Sequence, residues 1–472
     1  MAELRLIPAA VVTWGGLVVL ILAGSVWWAA GFIAMSAAII ALKAWWGQCV
    51  LVAGIASTTL ITSSVRMSLA HRAAERLNAA RAWTGRIAAL PRPTNTGNTL
   101  VTMHVRGYPE PLAVFAQGEP AGWAPGALVA VEGKLVESDR PSLGGHIARG
   151  DLAVIRPPQG TAAWSEHLRN NLHLAVDQAI AGEHKGLIPG MVLGDTSLQT
   201  QQAQELYRLT GLAHLSAVSG ANVAVLTTCA VLICRALGLG PRIQTASCLS
   251  VLVGFVVIVG PEPSVIRAGI TGVVGLIAVV ASSRMQPLHA LGLAVISVMA
   301  IYPSMAVDLG FLLSVVATVG IVAVSPVLAR PLIKRGMPDV VARAIAVALA
   351  ADAATLPVVA AMSGQASLVS AFANLLVAPA AGPITVVGVV ATLVAAVHPL
   401  LAQPAVLVIN PLAWWIHSVA FWAGQRSLVT IMAPAHHVAL IYGWIFAGLM
   451  RWPRATGVVV IVGWCLVVRP WA

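Results

Sequence analysis

Charge is what this chain has least of. Only 10% of its 472 residues are Asp, Glu, Lys or Arg, against about 25% in ordinary globular proteins. Acidic groups are the scarcer sign, 17 against 28 Lys and Arg, which leaves a net charge of +11. Aromatic residues reach 6%. So few polar side chains cannot clothe a chain of this length for water, and lipid is the solvent for most of it. A soluble enzyme, a disordered chain and a disulfide-built secreted module are excluded. Cysteine is also sparse. Cys49, Cys229, Cys234, Cys248 and Cys465 all lie in apolar stretches and none has C-x-x-C spacing, so neither a zinc site nor a disulfide framework is expected. The sequence contains no H-x-H-x-D, H-E-x-x-H, P-loop or G-x-S-x-G run. No catalytic residue, metal site or cofactor is therefore expected, the chain is not expected to be an enzyme, and it is not expected to drive transport with nucleotide unaided.

What is present is hydrophobic: 58% of residues, with a mean hydropathy of +0.86. At about 20 residues per crossing, this composition predicts a polytopic α-helical membrane protein of about 10–13 transmembrane helices. Residues 1–65 form the first zone. The apolar run Ile7–Leu42 is too long for a signal peptide and fits two helices, with Gly24 or Gly31 at the turn. A third follows at Trp46–Ser64, and Trp27, Trp28, Trp45 and Trp46 suit the interface.

Residues 66–157 differ. They carry eleven Lys and Arg against seven Asp and Glu, and no stretch is long enough to cross. Short alternating runs at Thr84–Leu90, Thr99–Arg106, Leu112–Phe115, Leu128–Val136 and Ile147–Ile155 are separated by Pro, Gly and Asn. That pattern predicts an inserted small all-β module of about five strands, OB-like in strand count. Its exposed basic candidates for a polyanion are Arg86, Arg92, Arg106, Lys134, Arg140 and Arg149, although a simply solvated charged face is the competing reading.

Residues 158–205 open with an amphipathic helix, Ser165 its candidate N-cap and Leu168, Leu172, Val176 and Ala179 its apolar stripe, read as lying on the membrane before a connector. Residues 206–472 then hold apolar segments near 212–236, 243–260, 264–283, 288–303, 306–328, 340–362, 367–397, 403–424, 434–450 and 455–469. Pro379 and Pro383 suggest that 367–397 is broken or re-entrant. The basic loops Arg235–Arg242, Arg284 and Arg330–Arg343 are each two segments apart and therefore share one side, which the positive-inside rule makes the cytoplasm. Counting back sets the β module outside. Arg66, Arg72 and Arg76 argue the other way, but long loops cross largely regardless of charge.

Ionisable and polar groups inside apolar segments are functional candidates by default. His214, Ser216, Ser219, Gly220 and Asn222 crowd into twelve residues; on one continuous helix His214 and Asn222 would share a face. Arg267, Asp308, Asp352 and Asn374 complete the set. Each has a plainer reading: small and polar residues glue membrane helices together, Arg267 snorkels, Asp308 caps a helix, and His417 beside Trp414 and Trp415 is interfacial.

The run Leu215-Ser-Ala-Val-Ser-Gly-Ala-Asn222 resembles the signature of the ComEC family, the inner-membrane DNA channels of bacterial natural competence. In order along the chain, Val192-Leu-Gly-Asp-Thr-Ser197, Tyr207–Leu215, Ser264-Val-Ile-Arg-Ala-Gly269, Asp308–Ile321, Ala354-Thr-Leu-Pro357 and Ser367–Leu376 are similar to further family blocks, covering about residues 185–400. Asn222 stands where the family commonly has histidine, and the metallo-β-lactamase-like domain of longer members does not follow before Ala472. The resemblance implies a multi-pass protein of the bacterial plasma membrane passing single-stranded DNA inward. It also implies a surface DNA receptor, a cytoplasmic DNA-translocating motor and a separate nuclease as partners. The residues alone leave open a secondary transporter for a small solute built on Asp308, Asp352 and Arg267, or a scaffold that recruits partners through the β module.

Overall fold

In hydrocarbon a backbone must satisfy its own hydrogen bonds, so apolar runs become helices while the polar insert is free to form strands. The computed structural model describes residues 6–42, 45–94, 97–118, 122–216, 220–260, 265, 269–270, 272–273, 287–363, 366–425 and 430–431. Among these, seven helices are long and apolar enough to cross a membrane, and three apolar helices are shorter. The expected segments at 434–450 and 455–469 lie outside the described residues, as does most of 264–283. The chain divides into two compact units, residues 1–172, 218–312 and 392–399, and residues 173–217, 313–391 and 400–472.

In the first unit, α1 (Leu6–Ala23) and α2 (Val26–Leu42) turn at Gly24, whose positive φ of 63° suits glycine. Both pack on α3 (Trp46–Ala80), and α1 also packs on α9 (Pro287–Ile301). Trp14, in the middle of α1, donates its indole N–H to the Ala306 carbonyl at 2.8 Å and meets Phe311 edge to face. Trp27, Trp28, Trp45 and Trp46 are exposed. The helix expected to end at Ser64 runs on to Ala80, which is about 50 Å at 1.5 Å per residue and longer than a bilayer core. Residues 66–80, read from the sequence as the start of the β module, are therefore helix. Ala, Leu, Arg and Glu favour helix, and this end has a face to bury: Ala70, Ala73 and Ala74 pack into the barrel core beside Trp83, Met103 and Val131. Asn78 fastens the join, accepting the Leu135 N–H at 2.7 Å and donating to the Leu135 carbonyl at 3.3 Å.

The module itself contains β1 (Ala82–Ile87), β2 (Arg92–Pro93), β3 (Asn98–Val105), β4 (Leu112–Gln117), β5 (Leu128–Glu137) and β6 (His146–Arg156). Inward residues alternate along β1 and β3, as the period of two requires. The strand order is β1-β5-β6-β4-β3-β2, and β1 also pairs with β3, so the five long strands close into a barrel. The β4–β6 pair is parallel and the rest are antiparallel. That is the Greek-key order of an OB-like barrel. The longest strands, β5 and β6, face each other at Gly133 and Gly150, where an added Cβ would lie 2.3 Å from the Arg149 carbonyl and 2.2 Å from that of Glu132. This glycine pair lets the two strands approach closely enough to coil around a small core.

α7 (Gly220–Ala236) and α8 (Pro241–Val259) pack as a hairpin in the same unit. α4 (Thr161–Ala179) begins four residues before Ser165, so Ser165 is not its N-cap. Ser165 instead donates its hydroxyl to the Val257 carbonyl at 3.0 Å, and the buried Arg169 reaches the Ile258 carbonyl at 3.4 Å. Asn171 donates to the Ala395 carbonyl at 2.8 Å. Leu168, Leu172 and Val176 are fully buried. The polar residues of α4 thus satisfy carbonyls at two helix ends, and its apolar stripe is closed by protein rather than laid on lipid.

The second unit contains α5 (Leu187–Leu193), α6 (Gln201–Leu209) and most of α10 (Leu309–Lys334), α11 (Asp339–Ser363), α12 (Leu368–Ala395) and α13 (Pro399–Gln425). A two-residue pair, β7 (Ala366–Ser367) with β8 (Thr430–Ile431), joins the start of α12 to the chain beyond α13. α12 is one continuous helix through Pro379 and Pro383, not a broken one. The prolines are four apart and so remove neighbouring bonds on one side of the helix, which a packed membrane helix tolerates. α10 and α11 meet closely at Gly320, where a Cβ would lie 2.4 Å from that of Ala354.

Candidate functional site

The polar cluster at residues 211–222 is not one helix. Ala213–Ser216 form a single 3-10 turn, α7 starts at Gly220, and Ser219 lies outside the described residues. His214 and Asn222 therefore do not share the face that a continuous helix would have given them. The His214 imidazole is tied locally through Nδ1 to the Gly211 carbonyl at 3.0 Å. The Ser216 hydroxyl is buried with no hydrogen-bond partner among the described residues, and its backbone packs against Gly190 of α5. Asn222 is buried in the first turn of α7.

Asp352 and Asn374, 22 residues apart, come together. The Asn374 amide donates to Asp352 Oδ1 at 3.0 Å, linking α11 to α12 inside two membrane-spanning helices. The carbonyl oxygen of Asn374 is buried and meets no hydrogen-bond partner among the described residues. A carboxylate and an unsatisfied amide oxygen at this depth call for water or a passing polar group. Asp308 is a cap: its Oδ1 accepts the Phe311 N–H at 2.6 Å at the start of α10. Arg267 lies outside the described residues.

A second polar line was not singled out from the sequence. Gln403, Asn410, His417 and Gly424 recur every seven residues, on one face of α13. Each meets the stretch that runs from the end of α4 to α6. Gln403 donates to Gln178 at 3.1 Å, and His184 Nε2 lies 2.8 Å from Asn410 Oδ1. The Tyr207 hydroxyl lies 2.8 Å from His417 Nδ1, and Gly424 packs on Leu206. From 403 to 424 is about 30 Å of helix, the depth of a bilayer core. His417, read as interfacial, is thus part of a hydrogen-bonded seam. The heptad spacing is the signal that would have found it. From α4, His173 Nε2 lies 3.2 Å from Asp195 Oδ2, and Asp195 Oδ1 accepts the Ser197 N–H at 3.0 Å.

On the barrel, Arg86, Arg92, Arg106, Lys134, Arg140 and Arg149 are all exposed. They do not form one patch. Lys134 stands opposite Arg149 across β5–β6, and two residues along the same face Glu132 stands opposite Asp151. Arg86 is in register with Leu128, six residues from Lys134 on β5. Beside the barrel, burial raises the Glu110 carboxyl above the usual carboxylate range, against the lowering pull of the Ser304 hydroxyl and of Arg66. Burial, helped by Glu110, pushes the Tyr108 phenol up to about 12. Among the described residues, no three His, Cys, Asp or Glu side chains gather as a metal site, and Cys49, Cys229, Cys234 and Cys248 are free thiols.

Comparison with known proteins agrees with this architecture. ComE operon protein 3 of Bacillus subtilis (strain 168) is 24% identical over 212 residues, 45% of this chain and 26% of the relative, so the chain spans about a quarter of the length of the curated protein it matches. No solved structure matches. The model of the family described as Competence protein matches residues 191–455, which include the 211–222 cluster, the Asp352–Asn374 pair and all of α13. With more than half its length inside that match, the chain belongs to the Competence protein family.

Proposed function

We propose that this protein is a plasma-membrane channel that passes single-stranded DNA into the cytoplasm during natural transformation, with its barrel on the outer side. The observation that carries the reading is the Asp352–Asn374 pair within the membrane spans, whose unsatisfied Asn374 oxygen fits a wet interior rather than hydrocarbon. Membership of the Competence family and the likeness to ComE operon protein 3 support a role in DNA uptake. His214, Ser216, Ser219, Gly220, Asn222, Arg267, Asp352 and Asn374 are the residues assigned to the strand's route, and Asp308 shapes its edge as a helix cap. The barrel's exposed cations contact the backbone loosely, in a salt-sensitive and sequence-indifferent way. A surface receptor delivers the strand, and a cytoplasmic motor and a separate nuclease complete the pathway.

The test is transformation of a naturally competent host. Deleting the gene abolishes transformation while surface capture of DNA persists, and Asp352→Leu lowers transformation while the protein remains in the membrane at normal amount. Unchanged transformation after deletion, with no second copy of the gene present, refutes the reading.

A further inference from the structure

A cavity of about 310 Å³ opens along the β3 side of the barrel. It is lined from the β1–β3 connection (Leu90, and Arg92 of β2), strand β3 (Thr102), the β3–β4 turn (Glu110) and the β5–β6 loop (Ser142). In barrels of this strand order, the face of the second and third long strands, between the β1–β3 connection and the β5–β6 loop, is where oligonucleotides and oligosaccharides bind. Here that face does not open to bulk solvent alone. Its far wall is the connector between α9 and α10, which contributes Tyr302, Ser304 and Asp308. One polar contact ties the connector itself to the barrel side, and Arg66 of α3 bridges the barrel side to the end of α9. Ser304 donates its hydroxyl to Glu110 at 2.8 Å, Arg66 donates to the Ile301 carbonyl at 2.7 Å, and Arg66 lies 3.9 Å from the Glu110 carboxylate. The gap is therefore walled on one side by the barrel and on the other by the connector.

We infer that this cavity is a binding site for one unpaired base of single-stranded DNA, seated where the strand passes from the barrel to the membrane helices. The inference rests on the uptake reading above and adds a place and a chemistry to it. The lining decides which part of a nucleotide enters. Glu110 and Asp308 carboxyls beside the cavity disfavour a phosphate. Carboxyl and hydroxyl oxygens accept hydrogen bonds from the exocyclic amino groups of bases. Tyr302 adds an aromatic ring of the kind on which bases stack. Arg92, exposed at the rim, supplies a cation where the backbone stays outside. A duplex does not fit this arrangement, because its base faces are already stacked on one another and are not free to meet Tyr302.

The experiment uses the full chain in lipid nanodiscs and a fluorescent 12-residue oligo-dC strand, read by anisotropy. Thr102→Trp fills the cavity from the strand side. Ser142→Tyr fills it from a loop and leaves the strand ladder intact. Both weaken binding about tenfold or more, and a strand carrying one photoactivatable base crosslinks to the Tyr302–Asp308 connector in the unaltered protein only. Unchanged affinity in both variants overturns the cavity site while leaving the uptake reading in place. Absence of strand binding by the unaltered protein overturns the site together with the barrel's part in that reading.

Discussion

Replacing Asp352 by Leu removes the hydrogen-bond acceptor that the Asn374 amide has among the described residues. The Asn374 carbonyl oxygen already meets no partner among the described residues, so the variant orphans both polar atoms of a side chain packed between α11 and α12. Stranding a buried polar group costs about 1–3 kcal/mol. Interhelical hydrogen bonds within membranes average about 0.6 and reach about 1.7 kcal/mol. The expected loss is therefore about 1–2 kcal/mol, within the reach of thermal unfolding of the purified protein in detergent. Asp352→Asn keeps an acceptor at the same place and costs under about 0.5 kcal/mol on the same reasoning. The double variant Asp352→Leu/Asn374→Leu removes both partners and is more stable than the two single losses predict, with a coupling of about 1 kcal/mol. Uptake follows a different rule. If water and a strand meet these groups, the double variant regains stability but not transformation, and Asp352→Asn reports the contribution of charge alone. A double variant that is stable and transforms like the unaltered protein refutes the assignment of this pair to the route and leaves it a helix fastener.

Three further outcomes are expected. A carboxyl raised by burial binds its proton more readily folded than unfolded, so the Glu110 contribution to stability is present at low pH and is lost as pH climbs from the usual carboxylate range through the raised value; Glu110→Gln flattens that limb in unfolding curves taken between about pH 4 and pH 8. Gly150→Ala forces a methyl group against the Glu132 carbonyl, opens the β5–β6 pairing and is seen as faster proteolysis of the barrel, whereas the same change at the open Gly97 in the β2–β3 turn costs only its turn strain. Each cation removed from a backbone contact, Lys134→Ala or Arg149→Ala, lowers the slope of log affinity against log salt by about 0.7 for a single strand; an unaltered slope in both removes those two residues from the interface.

Much of this molecule is legible without coordinates. Hydropathy finds the spanning helices, because transfer into lipid is a local property of about 20 residues. Alternation finds the five long strands, because the pleat has a period of two. The α1–α2 turn is narrowed only to Gly24 or Gly31, and Asp308 reads equally as a route residue and as a cap. The start of the barrel is misjudged because about the last four turns of α3 are polar enough to resemble the insert, and only the barrel core supplies the apolar face they bury. The bare interfacial helix is misjudged because its stripe looks the same whether lipid or protein covers it. Strand order, barrel closure and the wall that the 303–307 connector adds beside β3 are decisions of the tertiary structure. So are the pairings of His184 with Asn410 and Tyr207 with His417, across 226 and 210 residues. Composition and periodicity are summed along the chain, and the sequence therefore determines solvent and element type. A hydrogen-bond partner hundreds of residues away depends on how those elements are threaded, and only the fold decides that.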